Sequence, residues 1–251
     1  MDTLTRPAET DSRFYSELLY KAFTKNALKV TLMIPTLNES SNLKYLLPEV
    51  PDYIHEVMLI DGNSSDDTVE VARQLYPDLR VIYQKGKGKG DAIKAGIKAA
   101  RGDIVCIMDA DGSMNISELP LFIIPLYNGF DFAKGSRFVL GGGTKDMPII
   151  RMFGNTMFTL LANMLYRGKF TDITYGYNAF WKNAISDMDL KTDGFEMEIE
   201  LFIKARKKRL KIVEIPCWEH KRRSGKGKLH TFKDGWKILK VIIKERINGH
   251  C

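Results

Sequence analysis

Cysteine is scarce in these 251 residues: only Cys106, Cys217 and Cys251 occur. They are too few and too far apart to frame disulfides or a structural zinc site, and Cys106, set in an apolar run, is expected in the core. Long apolar runs are missing too. No stretch approaches the roughly 20 apolar residues that cross a bilayer. The first residues, with Arg6, Glu9, Asp11 and Arg13, carry no secretory apolar segment, so the expected location is the cytoplasm. No glycine loop ends in Lys-Ser or Lys-Thr, which excludes a Walker-type triphosphate site. Charge balance is the last thing lacking. Lysine and arginine exceed aspartate and glutamate by 7, which favours an anionic partner such as a phosphorylated small molecule, an anionic lipid or nucleic acid. The excess gathers at Lys85, Lys87 and Lys89 and again from Lys204 to Lys244.

What is present is alternation. Val30-Thr-Leu-Met-Ile34, Val57-Met-Leu-Ile60, Val81-Ile-Tyr83 and Ile104-Val-Cys-Ile-Met108 are apolar runs of strand type. The first is expected to stop at Pro35, which cannot donate to a ladder. Between them lie helical patterns. One is capped by Ser40 or Ser41 and carries Leu43, Leu46 and Leu47; one is capped by Ser65 or Asp66 and buries Val69, Ala72 and Leu75; one runs from Ala92 to Ala100. Strand and helix repeat every 25 to 30 residues or about that, which predicts an α/β fold with a mostly parallel sheet covered by helices.

In such sheets ligands sit beyond the carboxyl ends of the strands. Asp109 and Asp111 follow the fourth run directly. Residues two apart in extended backbone point the same way, so both carboxylates can close on one hard cation, Mg²⁺ or Mn²⁺. Residues 35–39, Asp61 and Lys85-Gly-Lys-Gly-Lys-Gly90 belong to the same edge. A pocket of acids, metal and lysines suits a nucleotide diphosphate, and the glycines let backbone N–H groups approach a phosphate.

Taken together, Ile34-Pro-Thr-Leu-Asn-Glu39, Ile60-Asp-Gly-Asn-Ser-Ser-Asp-Asp-Thr68, Gly88-Lys-Gly-Asp-Ala92 with Gly96, Asp109-Ala-Asp111, Gly135-Ser-Arg137 and Glu214-Ile-Pro216 resemble the family-two glycosyltransferases of the GT-A fold. The dolichyl- or polyprenyl-phosphate sugar synthases match best. The resemblance implies that Pro35, Leu37 and Glu39 hold the base and ribose of a UDP- or GDP-sugar, with Asp61 near the base, and that Lys89 and Ala110 also line the donor site. It implies that Asp109 and Asp111 hold the metal on the diphosphate. Ser113 stands where relatives can have a glutamine ligand, and His220 where a histidine completes the metal shell in some sugar transferases. Gly62 replaces a second Asp found in many relatives, so the donor's base is not carried over.

Arg137 and Arg151 match arginines that face donor and acceptor phosphates in the polyprenyl-phosphate relatives. Asp172-Ile-Thr-Tyr-Gly-Tyr-Asn178 resembles a family segment in which Tyr175 and Asn178 replace Ser and Arg. Glu200 aligns with the relatives' acid, while Glu196 and Glu198 are expected in solvent. Arg222-Arg-Ser-Gly-Lys-Gly-Lys228 resembles a basic family signature, with Gly227 for Ser, and such a loop can fold over both phosphates. The helix expected over Met152–Tyr166 has an apolar side, Phe153, Met157, Leu160, Leu161, Met164 and Leu165, and a polar side, Asn155, Thr159 and Asn163. It either packs on the sheet or walls an acceptor groove.

The expected organisation is an arm over residues 1–28, with an amphipathic pattern, a domain over 29–230 and a C-terminal helix over 231–251. Within the domain, residues 29–140 form the nucleotide-sugar half and 141–230 the acceptor half. In the C-terminal helix Phe232, Trp236, Leu239 and Ile243 share a face beside Lys233, Lys237, Lys240 and Lys244, a pattern that suits either an anionic membrane surface or packing on the domain. The leading expectation is metal-dependent sugar transfer to a polyprenyl phosphate at the cytoplasmic face of a membrane. A soluble phosphorylated metabolite, peptide or natural product as acceptor is the second reading, and a silent nucleotide-sugar or nucleic-acid binding module the third. No stacking aromatics or recognition helix accompany the basic run, so nucleic acid is not the expected partner.

Overall fold

The computed structural model describes residues 28–225 and 227–247. The arm expected over residues 1–28 therefore lies outside the described residues except for Leu28. Nine strands and eight helices follow one another among those residues: β1 Val30–Thr36, α1 Ser40–Leu46, β2 Glu56–Asp61, α2 Thr68–Leu75, β3 Arg80–Tyr83, α3 Lys89–Ala99, β4 Ile104–Ile107, α4 Leu119–Tyr127, β5 Phe132–Ser136, β6 Gly143–Thr144, α5 Ile149–Tyr166, β7 Asn178–Trp181, α6 Lys182–Ile185, α7 Met197–Lys207, β8 Ile212–Pro216, β9 Trp218–Glu219 and α8 Thr231–Ile247. Seven strands form one sheet in the order β3-β2-β1-β4-β7-β5-β8. All its pairings are parallel except those of β7, which runs against both β4 and β5. This is the expected mostly parallel α/β sheet. A two-stranded ribbon, β6 with β9, stands beside it.

The strands are apolar on both sides because both sides are covered. Leu32, Ile34, Leu59, Cys106 and Phe122 fill one layer. Met33, Ile60, Val105, Phe180 and Met197 fill the other. A third cluster joins Ala162 and Tyr166 of α5, Phe202 and Ile203 of α7, and Ile238, Val241 and Ile242 of α8.

Local details depart from the sequence expectations. Pro35 does not end β1, which continues in register with β2 through Pro35↔Ile60 and Thr36↔Asp61. Met33 O accepts from Met108 N while Thr36 O accepts from Gly62 N, so odd positions of β1 face β4 and even ones face β2. Pro35 turns its donorless nitrogen to the side that β4 leaves after Ile107, and no ladder bond is lost. The N-cap of α1 is Glu39 rather than a serine. Asp66 does bind the Thr68 amide, but as a turn two residues before α2 begins. Leu75 is exposed instead of buried.

Close backbone approach joins α3 to the segment before α7. Gly90 N donates to Asp193 O at 2.7 Å, and a methyl on Gly90 would lie 2.7 Å from the backbone of Thr192 and Asp193. Gly90→Ala is accordingly expected to destabilise by about 1–3 kcal/mol through overpacking. Gly154→Ala, where a methyl meets nothing within 4 Å, should be neutral or stabilising. Calorimetric melting of the two variants checks the contrast, and equal shifts would contradict it.

Candidate active site

The carboxyl ends of β1, β2 and β4 open on one cavity of about 1210 Å³. Pro35, Leu37 and Glu39 line it from the end of β1, Gly62 and Asn63 from β2, and Lys85 to Lys89 from the loop entering α3. Asp109, Ala110, Asp111 and Ser113 supply its floor beyond β4. Thus the loops read as one edge do meet.

The floor is a charge cluster. Lys89 Nζ stands 2.5 Å from Asp109 and 2.6 Å from Glu198 on α7. Against burial, which would lower it, Asp109 and Glu198 hold the Lys89 ammonium above the usual lysine value. Burial pushes Asp109 up to about 6; Lys89 opposes the rise and the negative charges of Glu198 and Asp111 add to it. Asp111 Oδ2 meets Arg222 Nη2 at 3.0 Å, and its Oδ1 accepts from both the Ser113 amide and hydroxyl. Arg222 also reaches Glu39 at 3.0 Å. Lys228 donates to Leu37 O and lies 3.5 Å from Glu39. The basic loop therefore crosses the cavity as a strap and presents cations to the acids of the floor.

Whether a divalent cation fits is answered by that donor set. Asp109 and Asp111 are hard oxygen donors that now rely on ammonium and guanidinium for neutralisation, and Asp109 is still short of it. Two carboxylates with free positions for phosphate and water oxygens are what Mg²⁺ accepts. The residues fit. Among the described residues no group of three His, Cys, Asp or Glu side chains surrounds a common point. Ser113 spends its hydroxyl on Asp111, and His220, whose amide binds Ser113 O, is not among the residues lining the cavity.

Other expected residues have partners within the protein. Asp61 is buried and both its oxygens are taken by Ser64, so it braces the turn that offers Gly62 and Asn63. Arg137 does not extend a free guanidinium. Asp172 grips it through Nε and Nη2, Glu219 takes Nη1, and the Tyr175 ring lies 4.6 Å beneath. Burial resists the arrangement, but Arg137 holds Asp172 far below the usual carboxylate range. Arg151 binds Thr231 Oγ1 and Leu229 O, and no ion pair neutralises it among the described residues. Of the two arginines it has the charge to spare for a phosphate.

Glu200 is turned away from the cavity. It accepts from the amides of Lys191 and Thr192 and pairs with Lys204 one helical turn on. Glu198, expected in solvent, is the acid in the site. A signal was available: Lys204 four residues after Glu200 marks an ion pair along the helix surface. Two residues earlier the helix faces nearly the opposite way.

Residues 31–188 match the glycosyl transferase family 2. The chain belongs to that family. It is 30% identical to a dolichyl-phosphate hexose transferase of Haloferax volcanii, over 86% of this chain and 92% of that protein. It is 32% identical to a dolichol-phosphate mannosyltransferase of Pyrococcus furiosus over 80% of its own length, and spans only 59% of that longer relative. The glucosyl-3-phosphoglycerate synthase of Mycobacterium tuberculosis, crystallised with Mn²⁺, UDP and glucosyl-3-phosphoglycerate, superposes with a TM-score of 0.75 at 19% identity, covering 99% of this chain and 88% of that one. The expected GT-A fold is thereby established.

Protonation of Asp109 gives a test with a definite sign. Its pKa is raised from 3.8 to about 6, so its contribution to stability is present below the unfolded value and lost as pH rises through the folded one. Asp109→Asn is expected to raise Tm at pH 8 and to raise it less at pH 5. In the unaltered protein, Mn²⁺ affinity should weaken by up to about ten-fold per unit below pH 6 as protons compete for the ligand. Calorimetry and metal titration read the two effects; a lower Tm for the variant at pH 8 would refute the assignment.

Proposed function

We propose that this family 2 member transfers a sugar from a nucleoside-diphosphate sugar to the phosphate of a polyprenyl carrier at a membrane surface. The observation that carries the acceptor is the exposed apolar stripe of α5. The polar side of this helix is buried, with Asn155 on Asp172 and Thr159 beneath. Part of its apolar side faces out: Phe153, Leu160 and Met164 are each about 70% exposed, while Leu161 and Leu165 pack on the third cluster. A helix folded only to cover a sheet would bury the opposite stripe.

α8 continues the surface. Ile238, Val241 and Ile242 pack inward, whereas Phe232, Trp236 and Ile243 of the face read from sequence stay exposed. Packing on the domain thus uses one face of this helix, and the exposed face supports the membrane-surface reading. Phe153, Met157, Phe232 and Trp236 also line the cavity, so the apolar surface is continuous with the charged floor. Exposed apolar area of this extent marks an interaction site, and lysines alongside it suit anionic headgroups. None of the described helices is long and apolar enough to cross a membrane; the contact proposed here is made by these exposed faces.

The chemistry follows from the groups on the floor and in the strap. Asp109 and Asp111 would hold Mg²⁺ or Mn²⁺, which supplies charge neutralisation to the departing diphosphate. Arg222 and Lys228, freed from Glu39 and Asp111 when the donor enters, are placed to follow that growing charge. Arg151 meets the acceptor phosphate. A phosphate is ionised at neutral pH and needs no strong base.

The test is to incubate the protein with Mn²⁺, labelled UDP-glucose or GDP-mannose, and polyprenyl phosphate in vesicles. Label is expected in the organic phase, and Asp111→Ala should reduce transfer on the order of 10²–10³-fold. Leu160→Glu with Met164→Glu should reduce transfer to lipid while sparing hydrolysis of the donor. Label appearing only on a water-soluble phosphorylated acceptor would replace the lipid reading. No release of nucleotide from any donor would remove the transferase reading altogether.

A further inference from the structure

Lys134 is the one buried lysine whose ammonium meets no carboxylate among the described residues. It is 1% exposed, sits at the centre of β5 and donates to Tyr175 O at 2.6 Å. Its register partners across the sheet are Asn178 on β7 and Glu214 on β8. The three side chains bind successive parts of one segment. Glu214 accepts from the amides of Thr171 and Asp172. Lys134 takes Tyr175 O, and Asn178 Nδ2 takes Gly176 O at 3.0 Å. An acceptor thus answers N–H groups at one end of the segment and donors answer carbonyls at the other.

The far side of this segment faces the reaction. Thr174, Tyr175 and Gly176 line the cavity. A methyl on Gly176 would stand 2.6 Å from Glu198 Oε1, 2.8 Å from Lys89 Nζ and 3.3 Å from Asp109 Oδ2. Thr174 Oγ1 binds Arg137 and Asn155, and the Tyr175 ring supports the Arg137 guanidinium. A displacement here reaches both the charged floor and the acceptor side.

We propose that Lys134 is a positioning residue for the transfer reaction: it pins the Tyr175–Gly176 backbone from below and so sets the acceptor wall against the Lys89, Asp109 and Glu198 cluster. The inference rests on the glycosyl-transfer reading for its reaction and on the sheet geometry for its contact. A buried ammonium is a costly way to satisfy one carbonyl. Burial pulls Lys134 below the usual lysine value, while Asp172 and Glu198 hold it up. A methionine of similar length would fill the same space without that cost, so packing alone does not call for lysine.

Lys134→Met and Lys134→Arg decide the matter. In the methionine variant, hydrogen–deuterium exchange should quicken at least about ten-fold in peptides covering residues 171–177, since the anchoring bond is lost, while β1 to β4 keep their protection. KM for both substrates should rise several-fold, since the segment borders the charged floor as well as the acceptor side, and the arginine variant should recover most of the losses. Uniform exchange across the sheet with a lowered Tm and unchanged KM values would show Lys134 to be structural only, and would overturn the proposal. Should the unaltered protein transfer no sugar, the functional reading falls, and the exchange pattern still decides whether Lys134 pins the segment.

Discussion

The ammonium of Lys89 lies between two carboxylates from distant parts of the chain, Asp109 after β4 and Glu198 on α7. The rest of the cleft depends on that contact. Without a cation there, three acids would face each other across a partly dry floor, at a cost that grows as water is excluded. The glycine contact between α3 and the segment before α7 brings the partners within reach, and the strap repeats the device one step further out with Arg222 on Asp111 and Glu39. The protein thus supplies its own positive charge to the acids of the cleft.

This arrangement explains why the floor of the cavity is so polar while its other end is apolar. Charge on the floor is compensated pairwise by Lys89 and Arg222, whereas Arg151 stays unpaired near the α5–α8 surface. Arg137, by contrast, is absorbed into the structure by Asp172 and Glu219. Two arginines with the same family resemblance therefore serve different ends: one stiffens the wall, and one is available to a ligand.

Much of the frame was legible because its signals are local. Apolar runs ending in Asp or Pro gave the strands, and their shared edge followed from parallel topology. The order of the motifs gave the family. What stayed hidden depends on contacts between elements. Asp61 carries the same carboxylate whether it meets a base or Ser64, and only the turn geometry decides. Glu198 and Glu200 differ by two positions on a helix whose rotation is set by packing on α5 and α8. α5 stayed open for a related reason: periodicity shows that a helix has two unlike faces, but not which of them meets protein. Pro35 was read by a rule that holds inside a ladder, and β4 had already left that side of β1.

The reversed course of β7 has an effect on the architecture of the working edge. Its parallel neighbours bring their exits to that edge, so each contributes whatever follows it in the chain. β7 brings its entrance, and residues 171–176 arrive there before its pairing begins with Gly135 N on Tyr177 O. That stretch is held by side chains of β5, β7 and β8 instead of by a ladder, so this border of the cleft is set by side-chain identity in three strands at once.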